Sequence, residues 1–164
     1  MPTDLILLLS IAMGLTAYGL IAKWYIMPVL FSLPRAKALE PLLLFHCFRF
    51  VGLAFLIPGV TAQPLDPRFA IPAAYGDLLA ALLAFLGILS LRRGWRIAIP
   101  LIWVFSVEGT FDLLNAVTQG LRYTEGGGLG ATFFIPAVIV PALLVTHAMV
   151  FIILLRGVSE KGHV

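Results

Sequence analysis

The chain has 164 residues, of which 61% are hydrophobic and only 12% are charged, and its mean hydropathy is +1.05. Soluble domains carry about 25% charged residues, so the composition excludes an ordinary soluble domain and indicates one integral membrane domain over residues 1–164. The net charge of +3 does not indicate a nucleic-acid partner, because the basic residues lie in short loops between apolar runs. The single cysteine, Cys47, excludes an internal disulfide and a CxxC redox pair.

Five apolar runs are long enough for a membrane-spanning helix, which needs about 20 residues. They cover approximately residues 5–23, 39–58, 70–91, 97–120 and 131–155. The residues before the first run include no Lys or Arg, so we expect a retained span. It can continue through WYIMPVLF, residues 24–31, whose Trp24 and Tyr25 fit an aromatic interfacial belt. The segments between the runs contain the Pro, Gly and charged residues that end helices. The sequence therefore predicts an all-α bundle of five transmembrane helices.

Lys and Arg are distributed unequally between the two ends of this predicted bundle. Eight lie at one end, namely Lys23, Arg35, Lys37, Arg92, Arg93, Arg96, Arg156 and Lys161. The other end has only Arg68 and Arg122, together with the acidic residues Asp4, Asp66 and Glu125. By the positive-inside rule the first end is cytoplasmic. The prediction is a bacterial inner-membrane protein with its N-terminus outside and its C-terminus in the cytoplasm.

Six ionisable residues lie inside the apolar runs. They are His46 and Arg49 in the second run, Asp77 in the third, Glu108 and Asp112 in the fourth, and His147 in the fifth. Such groups cost several kcal/mol each unless they are paired or hydrated, so they normally face the bundle interior. With a rise of about 1.5 Å per residue, the two histidines are predicted at one level near the cytoplasm. Arg49 and Glu108 come next, and the two aspartates lie furthest out.

The faces of the predicted helices also favour one interior pocket. A polar stripe follows the fourth helix at positions i, i+4, i+7 and i+11, formed by Glu108, Asp112, Asn115 and Gln119. Asp77 shares its helix face with Ala and Gly residues, which let membrane helices approach closely. Pro136 and Pro141 are predicted to interrupt the backbone hydrogen bonding of the fifth helix.

The charges of this core indicate a ligand class. Arg49 contributes +1 and the three carboxylates contribute −3, so protonated carboxylates, cationic histidines or a bound cation must balance the remainder. The first hypothesis is binding or translocation of a proton-linked or cationic small ligand held by the carboxylates. Asn115 and Gln119 would then line an outward-opening approach, and the two histidines would relay protons.

Three alternatives stay open. His46 and His147 are suitable axial ligands for haem b, and a quinone is the other redox option. Together with Asp77, Glu108 and Asp112, the histidines have the ligand types of a zinc or iron site, although the sequence has no HExxH motif. The last alternative is a structural or assembly subunit of a membrane complex. Transport would require a homo-oligomer, because one five-span chain lacks the inverted repeats of many transporters.

The stretch FRFVGLAFLIPGV, followed by DPRFAIPAAYGDLLAALLAFLGILSLRRGWRIAIPLIWVF, resembles the DoxX-type small bacterial membrane proteins. The resemblance covers the second to fourth predicted helices, which is about half of the chain. It matches Arg49, the run from Gly52 to Gly59, and Asp77 to recurring positions of that family. The family usually has Glu in place of Asp77, and it has four spans where five are predicted here. Some of its members are linked to quinone-dependent sulfur oxidation, so the resemblance is compatible with the redox alternative.

Overall fold

The computed structural model describes residues 3–124 and 128–159. Within these two ranges the chain forms helices joined by turns, without a β-strand, which confirms the all-α prediction there. Two residues used to predict the orientation, Glu125 and Lys161, lie outside the described residues.

Among the residues that the structure describes, five helices are long and apolar enough to cross a membrane. We label them α1 (Thr3–Phe31), α2 (Arg35–Leu56), α3 (Pro67–Arg92), α4 (Ala98–Tyr123) and α5 (Gly130–Arg156). These bounds agree with the five predicted runs to within a few residues, except at the end of α1. That helix passes Lys23 through a π-helical turn, Ala22–Ile26, and continues as an α-helix over Met27–Phe31. Pro28 lies at the start of this last segment, where its missing N–H is tolerated.

The two ends of the bundle are chemically different. At one end Arg92 Nε donates to Glu40 Oε1 over 2.9 Å, and the Arg156 guanidinium lies 4.1 Å from the centre of the Phe31 ring. These contacts join the end of α2 to that of α3 and the end of α1 to that of α5. We call this the basic end. The opposite end, where α1 begins, is called the Asp4 end.

The half of α2 nearer the Asp4 end is a 3-10 helix rather than an α-helix. The α-helical part covers Arg35–His46, and the 3-10 helix covers the ten residues Cys47–Leu56. Such helices rarely exceed three or four residues. Because a 3-10 helix has three residues per turn, Arg49, Gly52 and Phe55 lie in one row, and all three are buried. This row carries the Arg49 side chain into the bundle.

Helix α3 packs closely against its neighbours through a face of small side chains. Ala73, Ala80, Ala84 and Gly87 are buried on this face together with Asp77. Small side chains reduce the separation between helix backbones in a bundle of this kind. The predicted inward position of Asp77 is therefore confirmed.

Buried apolar residues form two clusters, one on each side of the ionisable residues. The cluster toward the basic end includes Leu39, Leu43, Ile102, Phe105 and Val150. The cluster toward the Asp4 end includes Phe55, Phe69, Leu113, Ile135 and Leu143. The outer surface carries large exposed apolar side chains such as Phe48, Phe85 and Phe111. A bundle that is apolar both inside and outside is typical of helices surrounded by lipid.

Candidate functional site

Arg49 lies at the centre of the site and is only 2% exposed. Its Nε donates to Asp77 Oδ1 over 2.8 Å, and its Nη2 donates to Asp112 Oδ2 over 2.5 Å. Its Nη1 donates to the carbonyl oxygen of Gly109 over 3.2 Å. A buried guanidinium is tolerated when its N–H groups have acceptors, and here two of the acceptors are carboxylates. One side chain of α2 thus connects α3 and α4.

His147 connects this ion-pair cluster to α5. Its Nε2 lies 3.4 Å from Arg49 Nη1, and its Nδ1 lies 3.1 Å from Ser106 Oγ. A guanidinium nitrogen can only donate, so Nε2 of the ring must be the acceptor and Nδ1 must carry the hydrogen. The contacts therefore assign a neutral imidazole that donates to Ser106. Because this ring is neutral, the charged partners of the Arg49 guanidinium are the two aspartates.

His46 lies directly beside His147, with 4.1 Å between the ring centres and 47° between the ring planes. Its Nε2 is 3.0 Å from Thr146 Oγ1. The Thr146 hydroxyl also lies 2.9 and 3.0 Å from the carbonyl oxygens of Ala142 and Leu143. With its one hydrogen donated to either carbonyl, the His46 ring is the donor to this hydroxyl. Nδ1 of His46 is then a buried acceptor without a hydrogen-bond partner in the part of the chain that the structure describes. Phe105 covers both rings, with centre-to-centre distances of 5.0 and 5.1 Å.

Two glycines make room for the two carboxylates. A Cβ atom added at Gly52 would collide with the Asp77 carboxylate, and one added at Gly76 would collide with the Asp112 carboxylate. Each aspartate therefore lies directly against the backbone of the neighbouring helix. Any larger side chain at either glycine would displace an acceptor from Arg49.

Gly109 likewise makes room for the Arg49 guanidinium and the His147 imidazole. A Cβ atom at this position would lie 2.6 Å from Arg49 Nη1 and 2.8 Å from His147 Nε2. Sequence reasoning did not assign Gly109, Ser106 or Thr146 to the site. Gly109 and Thr146 each stand next to an ionisable residue in the sequence, whereas Ser106 has no ionisable residue adjacent to it or one turn away on its helix.

The structure brings together most of the predicted pocket, but not its whole polar stripe. The second carboxylate of Arg49 is Asp112 rather than Glu108, which lies one turn before it on α4. Glu108 is half-buried, and its Oε2 has no hydrogen-bond partner among the described residues. Further along α4, Gln119 Nε2 lies 3.5 Å from Asn115 Oδ1, at the limit of a hydrogen bond.

A cavity of about 40 Å³ extends from Asp77 toward the Asp4 end of the bundle. Such a volume holds about three water molecules. Its walls are mainly apolar, and they include Leu7, Phe55, Phe69, Leu113, Val117 and Ile135. Asp4 and Thr124 also line it, and the described lining residues include no Lys or Arg. Asn115 and Gln119, predicted to line the approach, are not among these lining residues, because Ala116, Val117 and Gly120 face the cavity instead.

A wider depression of about 450 Å³ lies at the same end, formed by parts of residues 55–71. Phe55 lines both this depression and the cavity. Its ring packs against Phe69 with 5.2 Å between the ring centres. Phe55 is therefore the wall shared by the open depression and the cavity that reaches Asp77, and Phe69 packs against it from the cavity side.

The arrangement does not fit the predicted metal site. Within residues 3–124 and 128–159, no group of three or more His, Cys, Asp and Glu side chains is arranged to hold a metal ion. Arg49 contacts Asp112 through one terminal nitrogen and His147 through the other, so its guanidinium lies between these two candidate ligands. The candidate ligand set of His46, His147, Glu108 and Asp112 is therefore not assembled around one point.

The two imidazoles are also too close for the predicted haem. Axial ligation would place the rings on opposite faces of an iron porphyrin. Here the ring centres of His46 and His147 are 4.1 Å apart, and Phe105 packs on both rings. There is no space for a macrocycle between them in this arrangement.

These observations define an all-helical bundle with five helices long and apolar enough to span a membrane, built around a buried Arg–Asp–His cluster. The chain belongs to the family described as a domain of unknown function, DUF8737, whose model matches residues 6–155. The matched range includes every residue of the cluster. Neither a curated protein nor a solved structure matches the chain.

Proposed function

We propose that the protein is an integral protein of the bacterial inner membrane, and that its buried cluster binds a proton-linked or cationic small ligand from the outer side. The excess of Lys and Arg at the basic end supports a cytoplasmic position for that end. The Asp4 end, the N-terminus and the mouth of the cavity then face outward. The described C-terminal part of α5 ends on the cytoplasmic side.

The observation that carries this proposal is the shared guanidinium. Asp77 and Asp112 both pair with Arg49, so one positive charge faces two carboxylates. The contacts of His147 favour a neutral imidazole, which does not balance the second carboxylate. A proton or a small cation would neutralise this excess charge in a low-dielectric interior.

The cavity supports both the direction of access and the size of the ligand. It begins at the Asp4 end, includes no basic residue among its described lining residues, and ends at the Asp77 carboxylate. Its volume of about 40 Å³ suits a proton carried by water or a cation about the size of ammonium. Movement of the Phe55–Phe69 pair would connect this space to the wider depression.

The close packing between the cluster and the basic end favours ligand binding over translocation. The two imidazoles extend the polar contacts of Arg49 in that direction. Beyond them lie Leu39, Leu43 and Ile102, each with 0% exposure. A close-packed apolar layer of this kind contains no pathway for a hydrated cation. The proposed site therefore opens to one side only.

A structural or assembly subunit is the second candidate function. It is favoured by the hydrogen bonds of Arg49, which use Nε, Nη1 and Nη2 within the protein itself. A cluster satisfied in this way could hold the helices together without a ligand. The surrounding exposed apolar surface would then contact a partner subunit or a second copy as well as lipid.

A quinone site is less well supported than a cation site. Quinone carbonyl oxygens require hydrogen-bond donors, whereas the cavity ends at a carboxylate. The cavity is also too small for a quinone ring without rearrangement. The resemblance to DoxX-type proteins, which would match Arg49 and Asp77, stays a prediction.

Thermal unfolding of the purified protein in lipid nanodiscs tests the proposal. Sodium, potassium, ammonium and methylammonium chlorides are added separately to the wild type, Asp77→Asn and the control Asp66→Asn. A ligand at about 100 times its Kd stabilises a protein by about 2.7 kcal/mol. We expect at least one cation to raise the Tm saturably in the wild type and Asp66→Asn but not in Asp77→Asn. No saturable rise in a folded wild type, or an equal rise in Asp77→Asn, would favour the subunit role.

A further inference from the structure

We propose that the basic end contains a second site, which binds an anionic phospholipid by its phosphate group and one acyl chain. The site lies where α1, α2 and α5 meet, well separated along the bundle from the Arg49 cluster. Its headgroup region and its chain region are adjacent depressions that share Phe31.

The headgroup region is a small pocket of about 60 Å³ at the ends of the three helices. Arg35 and Arg156 both line it. Arg35 Nη2 donates to the carbonyl of Leu154 over 2.9 Å, which fixes the guanidinium in place. Nε of Arg35 is buried, and it has no hydrogen-bond partner within the described ranges. The guanidinium held in this way gives the pocket a fixed positive charge, and guanidinium groups match the oxygen atoms of a phosphate group.

Arg156 supplies the second positive charge of this pocket. Its guanidinium lies 4.1 Å from the centre of the Phe31 ring, within cation–π distance. Phe31 thereby holds Arg156 at the boundary between the headgroup pocket and the neighbouring apolar groove. No Asp or Glu is among the described residues that line the pocket, so its charge favours an anion.

The chain region is an apolar groove of about 740 Å³ between α1 and α5. Its walls include small and flexible side chains, among them Gly19, Ala22, Met27, Val145, Ala148 and Met149. Small residues on both helices create the depression, and methionine side chains adapt to an irregular hydrocarbon chain. Lys23 also lines this groove and adds a third basic side chain.

The continuity of the two regions identifies an amphiphile as the occupant. A free phosphate would use the arginines but would leave the groove unfilled, and a neutral hydrocarbon would use only the groove. Basic pockets between transmembrane helices on the cytoplasmic side are suited to anionic lipid headgroups. In the proposed orientation, this site lies in the cytoplasmic leaflet.

Lipid retention by the detergent-purified full chain tests this proposal. The protein is equilibrated with mixed micelles of phosphatidylglycerol and phosphatidylcholine, and the bound lipids are counted by native mass spectrometry. We expect preferential retention of phosphatidylglycerol. Arg156→Gln should lower that preference about fivefold, the usual effect of one basic residue near an anionic lipid. Arg93→Gln is the matched control, because Arg93 is an exposed arginine at the basic end beside Trp95 and outside both depressions.

A second variant, Ala148→Phe, fills the groove without changing the charge and should also reduce phosphatidylglycerol retention. Equal retention of the two lipids by the wild type would overturn the proposal, as would equal losses in Arg156→Gln and Arg93→Gln. A last experiment adds inorganic phosphate as a competitor for the bound phosphatidylglycerol. If it displaces phosphatidylglycerol completely at millimolar concentration and Ala148→Phe retains the lipid, the site recognises a phosphate group only and the phospholipid assignment fails.

Discussion

Arg49 Nε donates to Asp77 Oδ1 over 2.8 Å and so joins the 3-10 segment of α2 to the middle of α3. The same Asp77 carboxylate lies against Gly52 and lines the inner end of the cavity. Asp77 is therefore both the partner of the buried Arg49 guanidinium and the buried acidic residue at the inner end of the cavity. Loss of this pairing should affect the stability of the bundle and the chemistry of the cavity together.

Arg49→Leu should strongly destabilise the protein. Removing the positive partner of a buried ion pair costs about 3–5 kcal/mol, because the remaining charges are left without compensation. The loss should grow as the pH rises, since the two aspartates must then bind protons to stay buried. Unfolding in detergent micelles at several pH values measures both effects.

The charge-neutral triple variant Arg49→Leu, Asp77→Asn, Asp112→Asn provides the control for this experiment. It removes the unpaired charges and should recover part of the lost free energy of unfolding. A loss in Arg49→Leu below about 1 kcal/mol, the range of an exposed salt bridge, would argue against the buried ion pair.

Gly52→Ala and Gly76→Ala should each destabilise the protein through one added methyl group. Both new Cβ atoms would collide with a carboxylate that pairs with Arg49. Overpacking of this kind costs about 1–3 kcal/mol. Gly19→Ala is the matched control, because no heavy atom lies within 4 Å of its added Cβ. Equal unfolding free energies for all three variants would show that the two aspartates do not lie against these glycines.

Ser106→Ala should destabilise the site by removing the acceptor of the His147 Nδ1 hydrogen. A buried donor left without a partner costs about 1–3 kcal/mol. Ser10→Ala is the control, because Ser10 is a helical serine near the surface whose hydroxyl donates to the carbonyl of Ile6. The unfolding free energies of the two variants provide the comparison. A smaller loss for Ser106→Ala than for Ser10→Ala would contradict the assigned imidazole tautomer.

Asp66 should make the Asp4 end sensitive to acid. Hydrogen bonds from the Arg68 side chain, and then from its backbone N–H, lower the pKa of Asp66 to about 2. A carboxylate with a depressed pKa stabilises the fold above its unfolded pKa of about 3.9, and this contribution disappears as the pH falls toward 2. Tm measurements between pH 5 and 2 (roughly the window set by these two values) should fall less in Asp66→Asn than in the wild type. Identical pH profiles would exclude a contribution from this pair.

Cysteine labelling in whole cells tests the proposed orientation. In a Cys47→Ala background, Gln63→Cys lies at the Asp4 end and Arg93→Cys lies at the basic end, and both original residues are exposed. A membrane-impermeant maleimide should label Gln63→Cys in intact cells, but Arg93→Cys only after the membrane is opened. The reverse pattern would place the basic residues outside and contradict the positive-inside assignment.

The five helices could be predicted from features that are visible in the sequence itself. Long apolar runs, and the Pro and Gly residues between them, mark helices and their ends. The first run was bounded at Lys23 with a possible continuation through residues 24–31, and α1 does continue to Phe31. The exposed side chain of Lys23 lies in a π-helical turn and can extend toward the membrane surface while the helix continues.

The meeting of ionisable residues inside the bundle was also predictable from the sequence, but only one of the two carboxylate partners of Arg49 was. Asp77 could be anticipated from its small-residue face, whereas Asp112 is chosen over Glu108 through the geometry of α2. An apolar pattern does not reveal a ten-residue 3-10 helix, which shifts both the height and the direction of Arg49. The role of Gly109 could not be predicted from the sequence either. Its carbonyl accepts a hydrogen bond from Arg49, and its lack of a Cβ makes room for Arg49 and His147, and both contacts depend on how the helices pack.

Infrared difference spectroscopy on the protein in nanodiscs tests the central claim most directly, because it reports the carboxyl groups themselves. The spectrum is recorded before and after addition of the cation that raises the Tm. We predict a change in the C=O stretch of a buried carboxyl group in the wild type, and its loss in Asp77→Asn but not in Asp66→Asn. A wild-type spectrum without a carboxyl change, or the same change in Asp77→Asn, would contradict a cation site at the Arg49–Asp77 pair.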